Sequence, residues 1–281
     1  MVKLATNNAV MLNEIVKLFG MTELYNDMAQ LIGKKVKTFT PQLYYDDHSN
    51  GEIPPSAFAS SILIKTANNF FLVTAAHVFH EEEIKNIGFF INRYFYVISG
   101  ELNYHEPNDG IYYDARNLDI AVFKLDYVSV DLLKNYYSFL ELQDLEFNHF
   151  SSVASRYLVF GYPEQITVNN DSTKTVIPAS MSLRTIGVDQ SYYEKDITRD
   201  RTIILSGKQT NMHPANSNSL DKVTVFSGIS GCGVWNVTKL SKENPEYKLV
   251  SILTGEDEDK TVFYSTKIDV IISILNLNKW L

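Results

Sequence analysis

The sequence predicts an all-β fold: two six-stranded antiparallel β-barrels, with a helical extension before them and a helix after them. Three observations lead there. Short apolar runs recur along the chain, each bounded by Gly, Pro, Asn or Asp, the punctuation of strands and turns. Aromatic residues are plentiful, with 17 Tyr and 16 Phe, and these side chains suit a pleated surface. Helical periodicity is confined to the two ends and to one short bridge near the middle.

The elements follow in order. Residues 7–33 predict helix, with Val10, Leu12, Ile15, Val16 and Leu18 at three- and four-residue spacings, then Met28, Leu31 and Ile32 before Gly33. Such a pair of amphipathic helices packs on the main body, or serves as a partner-docking or regulatory element. Residues 34–56, with Pro41, Pro54 and Pro55, predict an extended connector. Residues 57–65 and 70–74 form two apolar runs around the turn Ala67-Asn68-Asn69. Residues 88–99 and 118–125 predict further strands, separated by a polar loop over 103–117. Residues 129–145 predict a short helical bridge between two halves. A second group of strands is expected over 157–160, 174–177, 181–186, 202–205, 223–226, 233–237 and 248–253. The apolar-faced stretch 268–275 closes the chain as a helix.

Composition narrows the function. The chain has 281 residues, 45% of them hydrophobic, and a net charge of −8. With no long basic run, nucleic acid is not expected as a main partner. No apolar stretch reaches the length of a membrane span, so no membrane partner is expected. Cys232 is the one cysteine. An intrachain disulfide is therefore impossible, and with no signal-peptide pattern the expectation is a cytoplasmic protein. Asn236-Val237-Thr238 matches a glycosylation acceptor but carries no weight without secretion.

Three segments carry chemistry. Leu72-Val73-Thr74-Ala75-Ala76-His77 delivers a histidine from the end of an apolar run, and Leu118-Asp119-Ile120-Ala121-Val122 opens another run with an aspartate. Phe226-Ser227-Gly228-Ile229-Ser230-Gly231-Cys232-Gly233 sets a serine between glycines. A serine hydroxyl is a weak nucleophile. It needs a base to take its proton, and a carboxylate to fix the tautomer of that base. It also needs backbone N–H donors beside the attacked carbon.

Together these motifs resemble those of the chymotrypsin/trypsin-like serine peptidases, in the order histidine, aspartate, serine. Leu158-Val159-Phe160-Gly161-Tyr162-Pro163 is similar to the strand and turn that open the family's second barrel. The resemblance covers about residues 56–280. It implies a peptidase domain over that span, with a first barrel at about 56–126, a second at about 155–266 and a C-terminal helix at 267–278. Residues 1–40 form the N-terminal helical extension. It further implies His77 as general base, Asp119 as its orienting partner, Ser230 as nucleophile, and the N–H groups of Gly228 and Ser230 as oxyanion hole. A polypeptide substrate is expected, and no cofactor.

Two positions depart from the family pattern. Ile229 stands where secreted members carry an aspartate that pairs with a newly cut N-terminus, so no such zymogen switch is expected. Cys232 stands at the second glycine of the serine motif. Cysteine is the nucleophile of some viral relatives, but here the residue two before it is Ser230 rather than glycine. Serine is the better nucleophile by motif, and Cys232 reads as a small buried side chain. His77-Val78-Phe79-His80 lacks the His-Glu-x-x-His spacing of zinc peptidases, so no metal is expected. The acidic run Glu256-Asp257-Glu258-Asp259 reads as a solvated hairpin tip next to a strand end that would line substrate. His48, His105, His149 and His213 carry no readable role. Without a zymogen switch, a regulatory partner acting through residues 1–40 is an expectation. Two other functions fit the same residues: a catalytically silent fold used as a peptide- or protein-binding module, and an esterase or amidase.

Overall fold

The computed structural model describes residues 27–46, 54–79, 84–105, 118–170, 175–193, 197–208, 213–214, 227–241 and 243–281. The expected helix over 7–33 lies within them only from residue 27, and the expected strand at 223–226 lies outside them. The described chain is predominantly antiparallel β-structure with few helices.

The first half holds β1 (Gln42–Tyr45), β2 (Ser56–Ser60), β3 (Ile62–Lys65), β4 (Phe70–Thr74), β5 (Ile87–Ile91), β6 (Tyr94–Val97), β7 (Gly100–His105) and β8 (Ile120–Leu125). They form two four-stranded sheets, ordered β2-β1-β5-β6 and β3-β4-β8-β7. Ser61 alone separates β2 from β3, and Ile98-Ser99 alone separate β6 from β7. Two long strands thus pass from one sheet into the other.

The period-2 geometry of a strand sends neighbouring side chains to opposite faces. Leu63, Leu72, Ala121 and Phe123 point into a core of the first half, with Leu43, Ile87 and Phe89. Their neighbours Ile62, Ile64, Phe71, Val73, Ile120 and Val122 join a second cluster shared with the other half. Strands covered on both faces read as unbroken apolar runs, which is why these segments stood out in the sequence.

The second half holds β9 (Arg156–Gly161), β10 (Val168–Asn170), β11 (Thr175–Ile177), β12 (Met181–Ile186), β13 (Thr202–Ser206), β14 (His213–Pro214), β15 (Gly233–Lys239), β16 (Glu246–Asp257) and β17 (Val262–Lys267). Seven of them form one sheet, ordered β13-β17-β16-β15-β9-β12-β14, while β10 and β11 pair apart. This sheet curls: just past β12, Gly187 bridges to Leu205 in β13, at the far end of the order. Tyr157, Val159, Leu183, Ile203, Leu205, Val234, Val250 and Phe263 fill its concave side. Leu158, Phe160 and Trp235, on the opposite face, meet the first half in the shared cluster.

Among the described residues, three α-helices seal the assembly. Helix α1 (residues 27–36) buries Met28, Ala29, Ile32 and Val36, and the last three belong to the shared cluster. It packs into the body rather than standing apart from it. Helix α2 (Tyr127–Lys134) is capped by Asp126, whose side chain accepts from Ser129 N–H at 2.8 Å. That backbone hydrogen bond, foremost among its causes, holds the Asp126 carboxyl below the usual range. Helix α3 (Ile268–Leu277) buries Ile268, Ile271, Ile274 and Leu275 against both halves. Beyond it Trp280 stacks on Phe71 with centroids 6.0 Å apart, and Asn69 Nδ2 donates to its carbonyl at 2.7 Å. No described helix is long and apolar enough to cross a membrane.

Several boundaries differ from expectation. The connector over 34–56 contributes β1, because Leu43 and Tyr44 are buried against neighbouring strands. The single strand expected over 88–99 is the hairpin β5–β6. Its turn residues Asn92 and Arg93 both take positive φ, 48° and 73°, as the twist of a two-residue hairpin demands. The loop expected over 103–117 begins inside β7. The helix expected over 129–145 stops at Lys134. Leu140 and Leu145 then make isolated bridges to Ile64 and Leu249, crossing from one half to the other. Strand β17 had no counterpart in the sequence reading, and β16 runs past 253 to Asp257. The acidic run is a hairpin tip, as expected: β16 ends at Asp257 and a turn spans 258–261.

Candidate active site

Strand β4 ends at Thr74, paired with Ala121 of β8. This register sets the residues just past β4 beside the residue just before β8. His77 lies on the 3-10 turn Ala76–Phe79, and Asp119 immediately precedes β8. The two meet twice: His77 N–H donates to Asp119 Oδ1 at 2.9 Å, and His77 Nδ1 lies 2.7 Å from Asp119 Oδ2. A carboxylate only accepts, so Nδ1 carries the proton and Nε2 of the neutral ring is left as the acceptor. The histidine side chain is 18% exposed and the aspartate 7%. The carboxylate is covered while the ring keeps an open edge.

The serine turn is fixed by hydrogen bonds to nearly every carbonyl it contains. Ser227 C=O accepts from Glu164 N–H at 2.9 Å, and Ile229 C=O from Cys232 N–H at 3.0 Å. Ser230 C=O accepts from Ser60 N–H at 2.9 Å, and Gly228 C=O from Ser60 Oγ at 2.9 Å. Gly231 N–H and Cys232 C=O pair with Leu253 of β16, both at 2.8 Å. Among the described residues, the N–H groups of Gly228, Ile229 and Ser230 have no acceptor. A turn held through its carbonyls, with N–H groups unspent, is what an anion site requires.

Both turn glycines are demanded by the backbone. Gly228 has φ 87° and Gly231 φ 85°, where a Cβ is strained. A Cβ on Gly231 would also fall 2.0 Å from Thr74 Oγ1 and 2.1 Å from Ser60 C=O. This contact seats the turn directly on the end of β4, the strand that delivers His77. Ser230 is half-buried, and among the described residues its hydroxyl makes no hydrogen bond. The structure thus joins His77 to Asp119 directly and brings Ser230 to the same seam through Ser60 and Thr74.

Ile229 and Cys232 are both buried in the second-half core. Burial pushes the Cys232 thiol far above its ordinary range, so it is neither exposed nor ionised at neutral pH. Burial is also the main cause that raises the Glu256 carboxyl, with Glu258 adding to it.

The other candidates separate cleanly. His149 is buried, with Nδ1 2.7 Å from Glu146 Oε1 and Nε2 2.8 Å from Tyr157 OH, while Asn236 Nδ2 donates to Glu146 Oε2 at 2.8 Å. This cluster ties the crossing segment to β9 and β15. His105 and His213 sit in β7 and β14. His48 and His80 lie outside the described residues. No group of three metal-ligating side chains occurs among the described residues. The sequence reading missed Ser60 and Glu164. For Ser60 a signal existed, since Ser60-Ser61 interrupts an otherwise apolar run, and both serines are fully buried.

No protein-family profile and no curated protein matches this chain. Solved structures do. The scabies mite inactivated protease paralogue S-I1 is similar over 87% of this chain and 96% of its own, at 15% identity and a TM-score of 0.51. Neuropsin, a serine protease expressed in the limbic system of mouse brain, is similar over 86% of this chain and 94% of its own, at 12% identity and a TM-score of 0.50. Together with the sheet pairings, these likenesses define a trypsin-like fold.

Proposed function

We infer that this protein is a serine endopeptidase built on a pair of six-stranded barrels, acting on polypeptides in the cytoplasm without a cofactor. The observation that carries the reading is the doubly hydrogen-bonded His77–Asp119 pair beside a serine turn whose Gly228 and Ser230 N–H groups have no acceptor among the described residues.

In this reading Ser230 Oγ attacks the scissile carbonyl carbon while its proton passes to His77 Nε2. Asp119 keeps the proton on Nδ1 and offsets the charge of the imidazolium. The Gly228 and Ser230 N–H groups receive the developing oxyanion. The tetrahedral intermediate collapses as His77 returns the proton to the leaving amine, leaving an acyl-enzyme. Water then repeats the sequence and releases the acid. A Ser230 hydroxyl with no hydrogen bond among the described residues fits a resting site, since such hydrogen bonds often tighten only when substrate binds.

The same hydroxyl favours a second reading, a trypsin-like fold kept for binding peptides. Labelling with a fluorophosphonate probe separates the two, because such probes trap a serine activated by a base and an oxyanion hole. The peptidase reading expects wild type to label and Ser230→Ala not to. An unlabelled wild type supports the binding module. Regulation through the N-terminal segment belongs to the same proposal. Deleting residues 1–26 keeps the buried helical residues 27–36 and is expected to change activity; unchanged activity confines any such role to residues 27–40.

A further inference from the structure

We propose that the Ser60 hydroxyl is a positioning group for the oxyanion turn, holding the Gly228–Ile229 peptide, which lies between the two peptides that carry the Gly228 and Ser230 N–H groups. The inference rests on the peptidase reading and adds to it a residue from the other half of the molecule.

Ser60 ends β2 and is fully buried. All its polar groups are engaged. Its N–H donates to Ser230 C=O at 2.9 Å, and its C=O accepts from Thr74 Oγ1 at 2.8 Å. Its hydroxyl accepts from Tyr162 N–H at 3.0 Å and lies 2.9 Å from Gly228 C=O. Tyr162 N–H can only donate, and Gly228 C=O can only accept. The hydroxyl proton therefore has one direction, toward Gly228.

That direction matters because Gly228, lacking a Cβ, has little conformational preference of its own. Two peptides flank it. The Ser227–Gly228 peptide is held by Glu164 N–H on Ser227 C=O. The Gly228–Ile229 peptide is held, among the described residues, by the Ser60 hydroxyl. Removing that hydroxyl frees one of the two and strands two buried polar groups, Gly228 C=O and Tyr162 N–H. The stranded groups favour a rotated turn that finds them other partners.

The packing is fitted to this contact. A Cβ on Gly161 of β9 would lie 3.1 Å from Ser60 Oγ and 2.9 Å from Cys232 Cβ. A glycine there lets β9, the serine turn and β2 converge. Through Thr74 the same residue is tied to the strand that delivers His77. Ser60 thereby fixes the oxyanion donors relative to the base.

The test is the kinetics of fluorophosphonate labelling in Ser60→Ala, read as rate and as final stoichiometry over a range of pH. A positioning role predicts a labelling rate lower by about 10- to 100-fold, somewhat less than loss of an oxyanion donor itself. Final stoichiometry stays complete and the pH midpoint stays that of wild type, since His77 and Asp119 are untouched. An unchanged rate overturns the proposal. So does a lower stoichiometry at an unchanged rate, which is the mark of partial unfolding. Should Ser60→Ala not fold, Ser60→Cys, a weaker donor of similar shape, is expected to slow labelling in the same direction, and a wild-type rate there overturns the role. Failure of wild type itself to label sinks the peptidase reading and the positioning role with it, and is distinct from a defect confined to Ser60 variants.

Discussion

The N–H of Cys232 donates to the carbonyl of Ile229 across 3.0 Å, closing the turn that carries Ser230, and both side chains are buried in the core of the second half. The turn is therefore anchored from below by apolar packing. Isoleucine offers no charge for a new N-terminus to pair with, and Ile229 is 3% exposed and surrounded by hydrophobic residues.

Ile229→Asp is accordingly expected to destabilise the protein by about 3 kcal/mol or more, the cost of an unpaired charge in an apolar site. Denaturant unfolding of the variant measures it. A loss below about 1 kcal/mol would show that the aspartate finds a partner, and would revive an activation switch at this residue.

Cys232 is expected to be inert in the folded protein. Its thiol is fully buried and pushed away from ionisation, and the thiolate is the reactive form. Ellman's reagent should modify it only under denaturing conditions. Rapid modification of the native protein would contradict the burial.

Asp119→Asn keeps the shape of the carboxylate but replaces one acceptor oxygen with a donor. His77 Nδ1 then no longer needs its proton, and the ring is free to settle in the wrong tautomer. The expected fall in labelling rate is about 10³- to 10⁴-fold, with little loss of thermal stability. A loss under tenfold would mean that His77 is oriented by something other than Asp119.

Alkaline pH offers a test of the packing. Burial is the main cause that raises the hydroxyl of Tyr157 from 10.0 to about 12, and burial likewise raises Tyr44 and Tyr162 above their ordinary range. The folded state therefore holds these protons more tightly than the unfolded one. Stability from them is complete below about pH 10 and is lost as pH rises toward and beyond 12. Tyrosinate absorbance from these side chains should appear together with loss of far-UV circular dichroism. Ionisation well ahead of unfolding would show that they are solvated.

The apolar runs at 57–65, 70–74 and 118–125 were legible as strands because both of their faces are largely covered, and 181–186 because Met181 and Leu183 alternate with Ser182 and Arg184. Strand β1, by contrast, is four residues within a Pro-rich polar stretch, and Leu43 and Tyr44 become core only through pairing with β2 and β5. The hairpin β5–β6 was hidden because Asn92 and Arg93 carry no glycine to mark the turn.

Of the candidate site, the residue types were fixed by local sequence. His77 at the end of an apolar run, Asp119 at the start of another and Ser230 between glycines are each a matter of neighbours along the chain. Tertiary structure alone decided what joins them. The β4–β8 register brought His77 onto Asp119, and the crossing of two long strands between sheets carried Ser60 to the underside of the serine turn. Hydrogen bonds between residues 168 positions apart leave no periodic trace in a sequence, since nothing local depends on them.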